Sequence, residues 1–183
     1  AAIIYMTTAN TDFFDFTTGN ADTISFTALQ FLGTGSGTGR ALVLGSSAQA
    51  CFDSRVRNCW FASIGGTAIY GVNMQDMHVT DTAFDSGVDY GVYIVKGSDN
   101  GIVQNIFYGC ALAGAYIAEG DNNLIVANRF DLSGGSSAGD DTKAAIVLNK
   151  NGSPSIRGTL IAANSFRGNS NDIVLNGNSG VYL

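Results

Sequence analysis

Two aspartates, Asp85 and Asp131, each directly follow a phenylalanine at the same position of a recurring sequence pattern. If the pattern marks stacked strands, the two residues lie two rungs apart, with roughly 10 Å between their backbones. Flexible side chains then bring their carboxyl groups into the range of about 6.5–9.5 Å that inverting glycosidases place between acid and base. The sequence therefore predicts Asp85 and Asp131 as the catalytic pair of a glycan hydrolase, should the chain cleave its ligand.

An insertion over residues 131–142 carries two further acidic candidates, Asp140 and Asp141, beyond a tip of glycine and serine. Long loops on a rigid scaffold often carry binding groups, although a plain solvated excursion has the same composition. Asp89, four residues after Asp85, is a third acidic candidate. We predict that all three contact a ligand.

Arginine side chains could hold acidic sugars, because a guanidinium binds a carboxylate through two parallel hydrogen bonds. The candidates are Arg55, Arg57, Arg129 and Arg167. They fall at unequal positions of the repeat and form no evident column, so ordinary surface arginines are the alternative. We retain Arg129, two residues before Asp131, as a predicted ligand contact.

Tyr93 and Tyr116 each precede an isoleucine by one residue at matching positions of the repeat. If the isoleucines face inward, the tyrosines face outward on neighbouring rungs. Exposed aromatic rings can bind sugars or form subunit contacts, while packing that only stabilises the sheet is the alternative. We predict both tyrosines as ligand-binding residues.

A column of acidic and amide residues lies three positions before each repeat anchor: Asp53, Asp76, Asn100 and Asn122. Stacked like charges repel, which favours Ca²⁺ binding or a raised pKa. Asp and Asn also belong in turns for local reasons, and we favour that interpretation, with no metal or cofactor. His78 is expected to face solvent and, with no Ser or Cys of known proximity, forms no catalytic triad.

The chain has three cysteines, an odd number, with no Cys-x-x-Cys spacing: Cys51, Cys59 and Cys110. It has a single histidine. These are too few soft ligands for zinc or an iron–sulfur cluster. Odd cysteines suit assembly in a reducing cytosol. We predict buried structural thiols, with one disulfide plus a free thiol as the alternative.

The 183 residues correspond to one domain, and 45% hydrophobic residues suffice for a substantial core. The net charge is −6 and the sequence has no basic run, so nucleic acid is not an expected partner. No apolar stretch approaches the roughly 20 residues of a membrane span, so membrane insertion is not expected either. The chain begins with alanine rather than methionine, which suggests a processed product or an excised segment.

The elements that position these side chains are short strands in a repeat. Five segments place a β-branched residue five positions before an aromatic one: Val56–Phe61, Val79–Phe84, Val103–Tyr108, Ile125–Phe130 and Ile161–Phe166. A second pattern, Gly-x-x-Ile, repeats out of phase, as in Gly91–Ile94. Apolar runs of this length between Gly- and Asn-rich turns disfavour helices throughout.

Stacked rungs place equivalent residues about 4.8 Å apart in columns. The predicted aliphatic interior column is Val56, Val79, Val103 and Ile125. The predicted aromatic column is Phe61, Phe84, Tyr108, Phe130 and Phe166. Asn and Asp residues follow the anchors: Asn58, Asp81 and Asn105 at two residues, and Asn128 and Asn164 at three.

These motifs resemble the right-handed parallel β-helix of the pectate-lyase superfamily, and most of all its phage tailspikes and capsule depolymerases. The resemblance covers roughly residues 22–180 and predicts an all-β solenoid of about six or seven rungs. Residues 1–21 would form an entry segment or a first partial rung, and residues 22–183 the β-helix domain. The resemblance further implies a homotrimer that is part of a virion tail, is assembled in the host cytoplasm and binds bacterial surface polysaccharide.

Two other functions stay open at this point. One is a secreted polysaccharide lyase or epimerase of the pectate-lyase type that uses Ca²⁺ on the acidic column. The other is a purely structural shaft that spaces functional modules apart. If the chain is an enzyme, hydrolysis is preferred to lyase chemistry, because the Arg and Lys residues that a lyase needs are sparse.

Overall fold

The computed structural model describes residues 2–18, 22–134, 143–149, 156–176 and 180–183. Within these ranges the chain forms short strands and no helix. The strands are, in chain order, β1 (Ala2–Tyr5), β2 (Phe14–Phe16), β3 (Ser25–Thr27), β4 (Leu29–Leu32), β5 (Leu42–Leu44), β6 (Cys51–Phe52), β7 (Arg55–Arg57), β8 (Trp60–Ala62), β9 (Thr67–Gly71), β10 (Met74–Gln75), β11 (His78–Thr80), β12 (Ala83–Phe84), β13 (Tyr90–Ile94), β14 (Gly97–Ser98), β15 (Gly101–Val103), β16 (Ile106–Tyr108), β17 (Ala113–Ile117), β18 (Leu124–Val126), β19 (Arg129–Asp131), β20 (Ala144–Asn149), β21 (Thr159–Ala162), β22 (Ser165–Arg167), β23 (Ile173–Asn176) and β24 (Val181–Tyr182).

The strands assemble into three parallel sheets of seven strands and one of three. Sheet A contains β1, β4, β8, β12, β16, β19 and β22, and sheet B contains β2, β5, β9, β13, β17, β20 and β23. Sheet C contains β3, β7, β11, β15, β18, β21 and β24, and the short sheet D contains β6, β10 and β14. A rung passes through sheets C, A and B in turn, as β7, β8 and β9 do. The chain is thus a parallel β-helix, which confirms the predicted fold.

A stack of phenylalanine rings fills the interior beneath sheet A. The rings of Phe61, Phe84, Phe107 and Phe130 lie nearly parallel, with successive centroids 5.3, 4.7 and 4.7 Å apart. Each ring points inward from its strand, and in-register parallel pairing superimposes it on the next. Burying a ring of this size stabilises the fold by about 1.5–3 kcal/mol.

The structure corrects one rung of the predicted columns by one residue. Ile102, not Val103, pairs with Val79 and Ile125 in the aliphatic column, and Phe107, not Tyr108, joins the aromatic column. The sequence is ambiguous here because β-branched and aromatic residues both occur in adjacent pairs. The structure buries the all-hydrocarbon Phe107 completely and leaves the Tyr108 side chain 42% exposed.

Asparagine side chains form a hydrogen-bonded ladder at the corner between sheets C and A. Asn105 donates from Nδ2 to Oδ1 of Asn128 (3.1 Å), and Asn128 donates in the same way to Asn164 (3.0 Å). Asn58 and Asp81, which the sequence placed in one column with Asn105, lie instead at the preceding turn position with positive φ. Asn105 therefore belongs with Asn128 and Asn164.

The acidic column lies at the corner between sheets D and C and consists of turn residues. Asp53, Asp76, Asp99 and Asn122 share this position, each with φ between 50° and 59°. Asn100, predicted as a member, is buried instead and donates from Nδ2 to Oδ1 of Asn123 at 2.9 Å. The sequence missed this second amide ladder because the one-residue slip at Val103 carried over to its neighbours.

The three cysteines are buried and form no disulfide: Cys51, Cys59 and Cys110. Burial raises the pKa of each thiol, to about 12 for Cys110. This agrees with the prediction of structural thiols. The described ranges contain no helix of the length and apolarity that crossing a bilayer would require.

Candidate functional site

The outer face of sheet A carries the predicted catalytic pair. In the four central rungs of sheet A the stacked phenylalanine points inward, and the residues directly before and after it lie on the opposite face of the sheet, which produces two outer columns. One column runs through Trp60, Ala83, Ile106 and Arg129, and the other through Ala62, Asp85, Tyr108 and Asp131. Between them lies a groove of about 370 Å³, here called the sheet-A groove.

Asp85 and Asp131 both line the sheet-A groove, two rungs apart in one column. The placement follows from register, because Asp85, Tyr108 and Asp131 each come directly after a stacked phenylalanine. Neighbouring strands lie about 4.8 Å apart, so roughly 10 Å separates the backbones of the two aspartates. Oδ1 of Asp85 accepts a hydrogen bond from the Ser86 N–H at 2.7 Å.

Arg129 lines the same groove and holds Asp131 in place. Its Nε donates to Oδ2 of Asp131 at 2.8 Å, and its Nη2 donates to the same oxygen. The Asp131 side chain is only 4% exposed, whereas that of Arg129 is 54% exposed. The hydrogen bonds and charge of Asp131 raise the pKa of Arg129. The guanidinium therefore both compensates the buried carboxylate and presents a cation to the groove.

Sequence reasoning missed the apolar lining of the sheet-A groove. Trp60 is half-buried, while Ile106 and Tyr108 are 46% and 42% exposed. The one-residue slip in the predicted column places Tyr108 in the interior, and the repeat pattern gives no role to Trp60, which directly precedes the buried Phe61. Because side chains alternate along a strand, the position directly before a buried phenylalanine faces outward, and this position could have identified Trp60 as a surface residue.

The sheet-A groove continues around the corner onto sheet C. A corner groove of about 590 Å³ shares Trp60, Ala83 and Ile106 with it. The corner groove in turn shares Asp81 and Gln104 with a groove of about 450 Å³ on sheet C. The asparagine ladder lies at this corner, and Oδ1 of its member Asn105 accepts a hydrogen bond at 3.0 Å from the N–H of Thr82, which lines the corner groove.

The charged residues of the sheet-C groove are engaged with acidic turn residues. Arg55 pairs with Asp53, approaches Asp76 at 3.8 Å and donates to the Asp76 carbonyl oxygen at 2.6 Å. Nε2 of His78 lies 2.8 Å from Oδ1 of Asp76. His78 is partly exposed, as predicted, and lines the groove.

Tyr93 and Tyr116 lie on sheet B, away from the sheet-A groove. They face outward in adjacent strands, and their rings stack at 4.5 Å with an interplanar angle of 7°. Tyr70 stacks on the other face of Tyr93 at 5.4 Å, and Tyr116 is only 7% exposed. Burial, followed by the neighbouring tyrosines, raises the pKa of Tyr93.

This arrangement argues against a role for these two tyrosines in sugar stacking. A sugar needs an open ring face, but both faces of Tyr93 are covered by other tyrosines, and Tyr116 is buried. The stacked tyrosines instead pack against alanines and valines on the outer face of sheet B. Packing that stabilises the sheet, the alternative interpretation, is the one that the geometry favours.

Asp89, another of the acidic candidates, does not line the sheet-A groove. Asp89 lies directly before β13, where its backbone carbonyl accepts hydrogen bonds from Leu112 and Ala113, and burial raises the pKa of its carboxyl group. Asp140 and Asp141 lie outside the described residues. In the described part of the chain, no three His, Cys, Asp or Glu side chains converge as a metal site.

Three parallel sheets closed into a solenoid, with a groove across two of its outer faces, define a β-helix protein. The family described as "right handed beta helix region" matches residues 18–183, and the chain belongs to this family. A β-helix domain fits polysaccharide-binding or lyase-like proteins in general. Neither the curated proteins nor the solved structures yielded a match.

Proposed function

We propose that the chain binds bacterial surface polysaccharide in the sheet-A groove, as a segment of a phage tailspike or tail fibre. In this proposal the β-helix is part of a homotrimer in the virion tail, and the groove is where the glycan is hydrolysed. The function rests on the contents of the groove, because β-helices serve several functions on one architecture.

The observation that carries the proposal is the mixture of groups lining one groove. Trp60, Ile106 and Tyr108 supply the apolar surface on which sugar rings pack, and Asp85 and Arg129 supply polar groups that orient hydroxyl or acidic substituents. Glycan sites need both kinds of group, since a sugar has an apolar face and a polar rim. The groove extends over the corner, which gives it the length to hold several sugar units.

Hydrolysis would assign different roles to the two aspartates. Asp131, paired with the permanently charged Arg129, suits the base that takes a proton from the attacking water. The acid that protonates the departing glycosidic oxygen would then be Asp85, the other carboxyl group of the groove, which makes no ion pair with any described residue. The glycosidic bond breaks as water adds to the anomeric carbon, and the proton taken by Asp131 balances the one given by Asp85.

Trp60, the only tryptophan of the chain, lines the groove and serves as a reporter of binding. Its fluorescence would be followed during titration with polygalacturonate, dextran and purified bacterial capsule and O-antigen polysaccharides, with reducing ends counted in parallel. We expect Asp85→Asn and Asp131→Asn to lower the cleavage rate by about 10²–10⁴-fold while binding persists. Asp99→Asn is the matched control, since Asp99 is exposed on another corner and Asn122 already occupies an equivalent position.

The outcomes separate binding from catalysis. Unchanged cleavage by Asp131→Asn would refute the hydrolytic assignment. Binding without cleavage by the unmodified protein would leave a glycan-binding segment. A Trp60 signal that no polysaccharide alters would contradict the proposed function as a whole.

The homotrimer draws support from the outer face of sheet C. Toward the C-terminal end this face is uncharged and apolar, with Leu124 and Leu160 exposed by 37% and 38% beside Val103 and Val126. Contiguous exposed apolar surface typically marks a protein contact. Copies packed in parallel bring the same rungs to the same height, so that these apolar halves meet.

Sedimentation equilibrium tests the assembly, and a mass three times that of the chain is expected. Replacing both Leu124 and Leu160 by Lys places charges in the contact and should yield monomers. Leu132→Lys, at an exposed apolar residue outside this face, should leave the trimer intact. A monomeric unmodified protein, or a trimer that survives the double substitution, would contradict the proposed interface.

A further inference from the structure

Tyr108 occupies the position midway between the two carboxylates of the sheet-A groove. Tyr108 pairs directly with Asp131 in the neighbouring strand. On the other side Phe107 pairs with Phe84, and Tyr108 and Asp85, which directly follow these two phenylalanines, are therefore neighbours as well. The column thus alternates carboxylate, phenol and carboxylate at intervals of about 4.8 Å. A ligand centred over Tyr108 has one carboxylate on either side.

The ring of Tyr108 is accessible in a way that the sheet-B tyrosines are not. It is 42% exposed and makes no ring-to-ring contact with any described residue. Its column neighbours are aspartates, which are too short to cover an aromatic ring. Tyr93, by contrast, lies between two other tyrosines in its own column.

The adjoining column extends this accessible surface. Ile106, two residues before Tyr108 on the same strand face, is 46% exposed and lies between Ala83 and Arg129. Tyr108 and Ile106 together form an apolar floor with charged groups on its borders. Such a floor fits the C–H face of a pyranose ring, whose hydroxyl groups then point to the borders.

We propose that Tyr108 binds the sugar ring whose glycosidic bond is cleaved, and so determines which bond lies between Asp85 and Asp131. The assignment rests on the proposed function and deepens it. Stacking on Tyr108 fixes the height of the sugar along the solenoid. The leaving oxygen then lies toward one aspartate and the attacking water toward the other, as inversion requires.

The assignment predicts that the ring of Tyr108, and not its hydroxyl group, carries the effect. Tyr108→Ala should weaken polysaccharide binding about tenfold, the factor that corresponds to roughly 1.4 kcal/mol of aromatic stacking. Its kcat/KM should fall by at least the same factor. Tyr108→Phe keeps the ring and should stay within about twofold of the unmodified protein.

The experiment is a titration of Trp60 fluorescence with the same polysaccharides, together with reducing-end kinetics, for both Tyr108 variants. Tyr5→Ala is the matched control, because Tyr5 is exposed in β1 on the same sheet, four rungs away from Tyr108. We expect the control to bind and cleave as the unmodified protein does. The Asp85→Asn protein should bind normally while failing to cleave.

Three results would overturn the assignment. Normal binding by Tyr108→Ala, with the unmodified protein binding as proposed, would refute the stacking role and leave the proposed function intact. Equal losses in Tyr108→Phe and Tyr108→Ala would assign the effect to the hydroxyl group instead. If no polysaccharide changes the fluorescence of the unmodified protein, the proposed function and this assignment are contradicted together.

Discussion

Asn128, in the middle of the asparagine ladder at the corner of sheets C and A, offers a sharp test of how the rungs are held together. Its amide makes four hydrogen bonds. Oδ1 accepts from the backbone N–H of Asn105 (2.9 Å) and from its Nδ2 (3.1 Å), while Nδ2 donates to the Ile102 carbonyl (2.8 Å) and to Oδ1 of Asn164 (3.0 Å). Asn128→Ala removes all four.

The loss can be apportioned from these contacts. The buried N–H of Asn105 is left without a partner, which costs about 1–3 kcal/mol. The Ile102 carbonyl, Oδ1 of Asn164 and Nδ2 of Asn105 each lose one hydrogen bond, at about 1 kcal/mol apiece. We therefore expect the free energy of unfolding to fall by roughly 4–6 kcal/mol. Asn128→Asp should cost at least as much, because it loses both donors and buries a charge.

Urea unfolding, followed by Trp60 fluorescence and by circular dichroism, measures the change. Asn58→Ala is the control: Asn58 is exposed at the same corner, and alanines already occupy its turn position in other rungs, so its cost should stay below about 1 kcal/mol. If Asn128→Ala were as mild as Asn58→Ala, the ladder would not stabilise the stack and the reasoning would be refuted.

Three further predictions concern the core, an ion pair and the thiols. Phe107→Ala should lower the free energy of unfolding by about 3–5 kcal/mol, since it opens a gap between two stacked rings, and a loss below 1 kcal/mol in urea unfolding would contradict the stack. Burial alone would raise the pKa of Asp12, but the hydrogen bonds and charge of Arg40 outweigh it and lower that pKa below its ordinary 3.8. The ion pair therefore stabilises the protein above about pH 4, and this stabilisation is lost as the pH falls through the lowered pKa. Asp12→Asn should lower the free energy of unfolding by about 1 kcal/mol at pH 7 and leave it unchanged in strong acid. A difference in thermal unfolding between the variant and the unmodified protein that does not depend on pH would contradict this. Cys51, Cys59 and Cys110 are all buried, so a thiol reagent should label none of them in the native protein and all three in urea. Rapid labelling of the native protein would contradict this prediction.

The architecture could be predicted from the sequence because the repeat itself requires it. A β-branched residue five positions before an aromatic one forms two short strands around a tight turn. A single rung of that kind cannot bury its apolar face alone, so rungs of nearly constant length stack into a solenoid. The placement of Asp85 and Asp131 in one outward column follows from the same spacing.

The tertiary structure alone decided which of two adjacent candidates faces inward. Side chains in a strand alternate with a period of two, so a slip of one residue exchanges the interior for the surface. Pairing with Phe84 and Phe130 places Phe107 inside and turns Tyr108 into the groove. Nothing in the local sequence distinguishes these two aromatic residues, because both suit a strand.

The tertiary structure also decided which outward residues share a groove and which cover one another. Strand spacing stacks Tyr93 and Tyr116 ring on ring, while the turn at the corner of sheets C and A brings Asp81 and Gln104 into the corner groove that shares Trp60 with the sheet-A groove. These are relations between rungs and between faces of the solenoid. A one-dimensional pattern specifies its own period, but contacts across a corner depend on turn geometry and side-chain length, which only the folded chain combines.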